Sequence, residues 1–186
     1  MKTKLSLLIF ALFAATEVFC QVSDNCVANV ILTGYSERAY TATPVSDQQI
    51  DLILKRGIKA PSGMNRQPWK FTVVKDEATM KGAIKDVIAG NVLIIISGAD
   101  SQGGPDQFAC GLATESMFIA AHGLGLGARI YGSPVNGINT NRDQFQIPEG
   151  YKAVAVLRIG NIDKTVDAVS SASPRKNPEE VVNYKK

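Results

Sequence analysis

Five consecutive apolar residues, Val92-Leu93-Ile94-Ile95-Ile96, constrain the fold more than any other stretch of this chain. All but Leu93 are β-branched, a composition that suits a pleated strand and crowds a helix. Successive strand side chains point to opposite faces, so an unbroken apolar run has to be buried on both. A strand over 91–97 therefore lies inside the molecule with cover on each side. With 186 residues the chain has enough material for one such covered sheet, in one domain.

The covering elements can be read around it. A first helix is expected over 25–33, ending at Gly34. The second starts at Ser46, where Gln49 three residues on makes a capping box and Val45 with Ile50 a hydrophobic staple. Ile50, Ile53, Leu54 and Ile58 line one face of it, and Pro61 should stop it near Ala60. Further on come a strand over 69–75, a short helix over 77–88, and a long helix over 106–122. In that last helix Cys110, Ala113, Met117, Ala121 and Leu124 form an apolar stripe. Gly123, Gly125 and Gly127 should end it, with strands following over 128–131 and 153–159. After Gly160 the chain turns polar, and from about 161 it reads as an arm, loose or laid across something. About four strands alternating irregularly with long helices suit an α+β class better than a doubly wound sheet.

The first twenty residues read as a secretory signal peptide. Lys2 and Lys4 precede an apolar run from Leu5 to Ala15 broken only by Ser6, too short for a comfortable membrane span. Cleavage is expected between Cys20 and Gln21, leaving 21–186 as the mature domain in an exported, periplasmic setting. Acylation of Cys20 is the alternative, although Phe19 fits a lipoprotein signal poorly. Export would permit Cys26 and Cys110 to pair, while buried free cysteines in helices are equally ordinary; both readings stay open. The net charge of +3 is small and scattered, which argues against a nucleic-acid partner.

Three segments carry a family resemblance. Ala60-Pro61-Ser62-Gly63-Met64-Asn65-Arg66-Gln67-Pro68-Trp69 resembles the flavin-binding signature of the nitroreductase family. Ala120 to Gly127 is similar to the end of that family's central dimer helix, and Ser36-Glu37-Arg38-Ala39-Tyr40 to its opening arginine motif. The resemblance implies a nitroreductase-like fold: a central, mainly antiparallel sheet flanked by helices, in an intertwined homodimer. It implies FMN as cofactor, a nicotinamide or other redox donor, and a nitroaromatic, quinone or similar small aromatic acceptor. Cofactor-binding roles then fall to Ser36, Arg38, Pro61, Ser62, Gly63, Asn65, Gln67, Gly132, Ser133, Arg175 and Lys176, with no catalytic side chain named. The residue chemistry is compatible: a small-residue turn allows close backbone approach, Arg38 could supply the cation a flavin wants near N1, and Arg175 or Lys176, with Arg38 in support, could meet the phosphate. The backbone at Gly132 and Ser133 could face the flavin's redox-active nitrogen.

One departure stands out. Where the family motif usually carries two arginines before its serine, this chain has Gly34 and Tyr35. Losing such a contact to phosphate costs about 1.5–3 kcal/mol. An exported flavin-binding or structural dimer without turnover is therefore the alternative to an oxidoreductase. A reductase of halogenated aromatics is a third reading, which the short 76–90 region does not favour. The remaining conspicuous residues have plainer readings. His122, the lone histidine, suits a helix-end cap better than catalysis. Trp69 is expected in the core, Cys110 has no metal-ligand spacing, so no metal is expected, and the glycines at 123, 125 and 127 are packing glycines.

Overall fold

The computed structural model of the chain describes residues 26–101, 103–169 and 173–185. The expected signal peptide and its cleavage point lie outside them. In chain order the elements are α1 (Cys26–Thr33), α2 (Asp47–Ile58), a 3-10 turn (Gly63–Asn65), β1 (Trp69–Val74), α3 (Glu77–Ala83) and β2 (Val92–Ser101). They continue with β3 (Gly104–Pro105), α4 (Gln107–Gly123), β4 (Leu126–Tyr131), α5 (Val135–Thr140), β5 (Tyr151–Asn161) and α6 (Pro178–Val181). The main strands run β1-β2-β5-β4, every pairing antiparallel, and β3 folds back on the end of β2. This is the expected α+β architecture, an antiparallel sheet flanked by helices.

The apolar run of β2 splits as its alternation dictates. Val92, Ile94 and Ile96 join the core beneath α2 and α4, and Leu93 and Ile95 join a second core with Met80 of α3 and Ile138 of α5. β5 contributes to both layers through Leu157 and Ile159 on one side and Val156 on the other. Each fully buried Ile or Leu contributes about 1.5–3 kcal/mol, so these two strands dominate the stability of the sheet. Trp69 is buried and stacks on Phe71 at 6.3 Å, in the core as expected.

Helix α2 keeps the predicted capping box, with Ser46 Oγ accepting from Gln49 N and Gln49 Oε1 from Ser46 N. It ends at Ile58 instead of near Ala60, and Ile58 is exposed where the periodicity put it with the buried face. Gly57 explains how α2 sits so close to α4: a Cβ there would stand 2.7 Å from Met117 Cγ. The stripe on α4 is as expected, with Cys110, Ala113, Met117 and Ala121 fully buried.

Other expectations need correction. α3 stops at Ala83 instead of running to 88, because Ile84 turns extended and it and Val87 enter the second core. Only Gly125, with φ of +74°, makes the turn after α4, whereas Gly127 lies within β4. β5 is longer at both ends than 153–159. The two-residue β3 and the helix α5, rich in Asn and Gly, carried no periodic signal. No disulfide joins Cys26, which is exposed, to Cys110, which is buried. Burial, with the Asp106 carboxylate nearby, pushes the Cys110 thiol up to about 11. Among the described residues no helix is long and apolar enough to cross a membrane.

One buried charge lies inside the strand expected over 153–159. Arg158 of β5 donates to Asn91 Oδ1 at 2.9 Å, to Asp86 Oδ2 at 3.1 Å and to the Asp86 carbonyl at 2.9 Å. Its guanidinium stacks 4.2 Å from the Tyr40 ring centroid. The arginine thereby ties the 84–91 loop and the 36–40 segment to the sheet.

Candidate functional site

α1 ends where Gly34 N donates to Val30 O at 2.9 Å, and the chain then runs beside β4. Ser36 bridges Ala128 in parallel, and Glu37 N donates to Ala128 O at 3.0 Å. This pairing presents Ser36 and Arg38 outward and turns Glu37 inward, where its side chain is completely buried. Glu37 Oε1 accepts from Arg38 N and Ala39 N, both at 2.8 Å, and Oε2 accepts from the Tyr35 hydroxyl at 2.7 Å. A buried carboxylate is tolerated only when so provided with donors. Gly127 makes the room for it: a Cβ on β4 at this point would lie 2.5 Å from Glu37 Cγ.

Over this buried carboxylate opens a cleft of about 530 Å³. Gly34, Tyr35, Ser36 and Arg38 line it from one side, and Val169, Ser173 and Arg175 of the C-terminal arm from the other. His122, at the end of α4, stands behind Tyr35 with ring centroids 5.8 Å apart, and Phe118 meets its ring edge-on at 4.6 Å. The imidazole bonds to the Tyr35 backbone and does not cap carbonyls of its own helix, which corrects the expected role. Its Nε2 is buried with no hydrogen-bond partner, and burial lowers its pKa below the usual 6.5. Burial, followed by the hydrogen bond to Glu37, raises the Tyr35 hydroxyl to about 12.

The Pro61–Gln67 segment lines a different place. Ser62 Oγ accepts from Gln67 N at 2.9 Å, and Gln67 Nε2 donates to Asn65 Oδ1 at 3.2 Å, so this loop is held by its own side chains. Met64, Asn65 and Gln67 all have left-handed φ, near +50°, a conformation that costs non-glycine residues on the order of 1 kcal/mol each. Pro61, Gly63, Asn65 and Gln67 are exposed, and nothing stands within 4 Å of where a Gly63 Cβ would be. Beside the loop Gln67, Trp69, Lys70, Phe71, Leu54 and Ile58 line a second cleft of about 380 Å³.

The predicted site residues thus divide. Ser36, Arg38 and Arg175 converge on the first cleft, Gln67 lines the second, and Pro61, Ser62, Gly63 and Asn65 sit in the loop beside it. Gly132 and Ser133 are exposed at the end of β4, and Lys176 is exposed on the arm next to Arg175 without lining the cleft. Glu37 and the His122 Nε2 atom were not anticipated, nor were Val169 and Ser173 as cleft walls. Among the described residues no group of three or more His, Cys, Asp or Glu is placed to hold a metal ion.

Known proteins agree with this architecture. Residues 31–101 match the Nitroreductase family model. A protein of Archaeoglobus fulgidus named for NADH dehydrogenase/NAD(P)H nitroreductase is 31% identical over 170 residues, covering 85% of this chain and 97% of that protein. The chain belongs to the nitroreductase family. A solved family structure from Desulfovibrio desulfuricans, in complex with FMN, is 29% identical with a TM-score of 0.74, covering 87% of this chain and 98% of its own. A nitroreductase with bound FMN from Desulfitobacterium hafniense has the same fold, with a TM-score of 0.72 at 22% identity and coverage of 87% and 99%.

Proposed function

We propose that this chain is an FMN-dependent oxidoreductase of nitroreductase type, assembled as a homodimer, passing electrons from a nicotinamide or another donor to a nitroaromatic, quinone or similar acceptor. The observation that carries the reading is the division of the site residues between two clefts on one subunit. Residues for the phosphate end, Ser36, Arg38 and Arg175, line one cleft, and the strained loop for the ring end borders the other. A flavin that meets both sets takes one from each of two copies. The names of relatives and the FMN held by solved family structures support the same activity.

The residues present fit such a cofactor. The first cleft falls within the usual size range for small-ligand sites and pairs two guanidinium groups with the Ser36 hydroxyl. Lys176 adds a cation beside Arg175. Gly63 and Gly132 leave their backbone open to close approach, and Asn65, Gln67 and Ser133 offer polar groups alongside. FMN, when bound, supplies the redox chemistry. The chain's own groups bind the phosphate, orient the ring through amides and side-chain amides, and exclude water with the arm that carries Val169 and Arg175. No side chain has to carry a proton in this scheme, in keeping with the single histidine being half-buried, with its pKa lowered by that burial.

The basic start and apolar run before Cys20 support an exported, periplasmic protein, with lipidation of Cys20 as the alternative. Nicotinamides are not expected there, so the physiological donor in that setting is another redox partner. Purifying the full chain and recording its visible spectrum tests the reading. A flavin band that bleaches under NADH or NADPH is the expected result. Retained flavin that passes no electrons to a quinone or nitroaromatic, whether reduced by a nicotinamide or by a chemical reductant, would identify a binding dimer without turnover, and failure to bind FMN at all would sink the flavoprotein reading.

A further inference from the structure

An anion site works through unspent donors: amides, hydroxyls and cations aimed at a vacant position. At the first cleft several such donors are already committed. The backbone amides of Arg38 and Ala39 and the Tyr35 hydroxyl all point at the buried carboxylate of Glu37. Glu37 is held by these three hydrogen bonds and packs closely over Gly127, where even a Cβ would meet its Cγ at 2.5 Å. Nor is there room for a longer side chain at position 34, where a Cβ would lie 2.9 Å from the Val30 carbonyl oxygen. Asp167 brings a further negative charge close enough to act on the Tyr35 hydroxyl. Facing these charges, the cations that line the cleft among the described residues are Arg38 and Arg175, both exposed to solvent.

The geometry points to Glu37 as a specificity-determining residue that cancels most of what this cleft would gain from a flavin's phosphate, so that the chain takes riboflavin nearly as well as FMN. This inference rests on the flavin-binding reading above. Glu37 places a buried carboxyl group beneath the phosphate end. It holds the hydroxyl of Tyr35, a residue that lines the cleft, and its charge repels a phosphate dianion through a partly desolvated wall. Ring and ribityl contacts, which riboflavin shares with FMN, then carry most of the affinity.

Glu37→Gln isolates the charge. The amide oxygen can accept from Arg38 N and Ala39 N as Oε1 does now. Its NH2 would donate to the Tyr35 oxygen, leaving the phenolic proton for the cleft. The test is titration of flavin-stripped, full-length protein with FMN and with riboflavin, followed by quenching of flavin fluorescence. For the unaltered protein the two dissociation constants should agree within about tenfold. Glu37→Gln should tighten FMN by about tenfold or more and leave riboflavin unchanged. Tyr35→Phe, which keeps the carboxylate, should leave the FMN-to-riboflavin ratio as it is. A preference for FMN above about a hundredfold in the unaltered protein overturns the inference, whether or not Glu37→Gln folds. So does a Glu37→Gln variant in which both flavins move together, or a Tyr35→Phe variant that gains FMN affinity equally. Uptake of neither flavin overturns this inference together with the flavoprotein reading, whereas tight FMN with weak riboflavin overturns the inference alone.

Discussion

Gly127 and Glu37 form the tightest pair of positions at the first cleft, and the glycine is needed for space alone, since its φ is not among the positive ones. Gly127→Ala should therefore destabilise the chain by about 1–3 kcal/mol, because the Glu37 side chain is held by three hydrogen bonds. Equilibrium unfolding in urea checks this, and an unchanged midpoint would mean that the packing between β4 and the 36–40 segment yields easily. His122 carries a pH dependence. Burial depresses its folded pKa below the usual 6.5, so the unfolded chain binds the more protons just below that pH. Its contribution is then fully present above about 6.5 and is lost as pH falls towards the folded value. The melting temperature of His122→Gln should accordingly fall less between about pH 7.5 and about 5.5 than that of the unaltered protein. Equal losses for the two would show that the imidazole is solvated. Neither role could be read from sequence: Glu37 sits in a polar stretch with no periodic cue, and the lone His122, which did stand out, is half-buried by Phe118 together with a loop far earlier in the chain.

At the scale of elements, local chemistry and tertiary packing divide the work. The N-terminus of α2 is local: Ser46 and Gln49 satisfy each other's backbone amides whatever lies around them. Ser46→Ala should cost about 1 kcal/mol of stability without touching either cleft. Thermal unfolding together with unchanged flavin uptake checks that claim, and a loss of uptake would show that α2 positions the 61–67 loop through its end as well. Element ends went astray where packing overrode local signals. α3 breaks early because Ile84 and Val87 are drawn into the second core, and α5 forms from a Gly- and Asn-rich stretch because Ile138 anchors it there. Arg158 illustrates the same point inside a strand. The apolar residues around it made β5 legible, while only folding brings Asp86, Asn91 and Tyr40 to the guanidinium.

The whole molecule shows an uncovered apolar side. α1 has no buried residue, and its Val27, Ile31 and Leu32 are 67%, 53% and 81% exposed. Phe108 at the start of α4 is 76% exposed. An apolar surface of this kind is covered by a partner in stable proteins, and the proposed homodimer supplies one. Val27→Asp, on the same helix but outside both clefts, should weaken dimerisation by about tenfold or more in sedimentation equilibrium and lower FMN uptake in parallel, because the site draws on two copies. Dissociation with FMN uptake intact would mean that one subunit suffices. A monomeric unaltered protein would leave the apolar side without its occupant and remove the dimer from the proposal.

Sequence alone determined the parts of this protein that depend on neighbours along the chain. The β-branched run at 92–96 had to be a covered central strand, the capping box had to open a helix, and the spacing of Cys110, Ala113, Met117 and Ala121 had to bury one face of α4. Two of the three family-like segments also named residues of the clefts, Ser36 and Arg38 on the first and Gln67 and Trp69 on the second, because contacts within a loop leave a readable motif. Tertiary structure decided which of those residues meet. It brought Ser36, Arg38 and Arg175 to one cleft, left Gln67 on another, and set a buried carboxylate beneath the first. Such meetings depend on packing between segments distant in sequence. The energy that selects them comes from burial and hydrogen bonding formed only when the sheet closes against its helices.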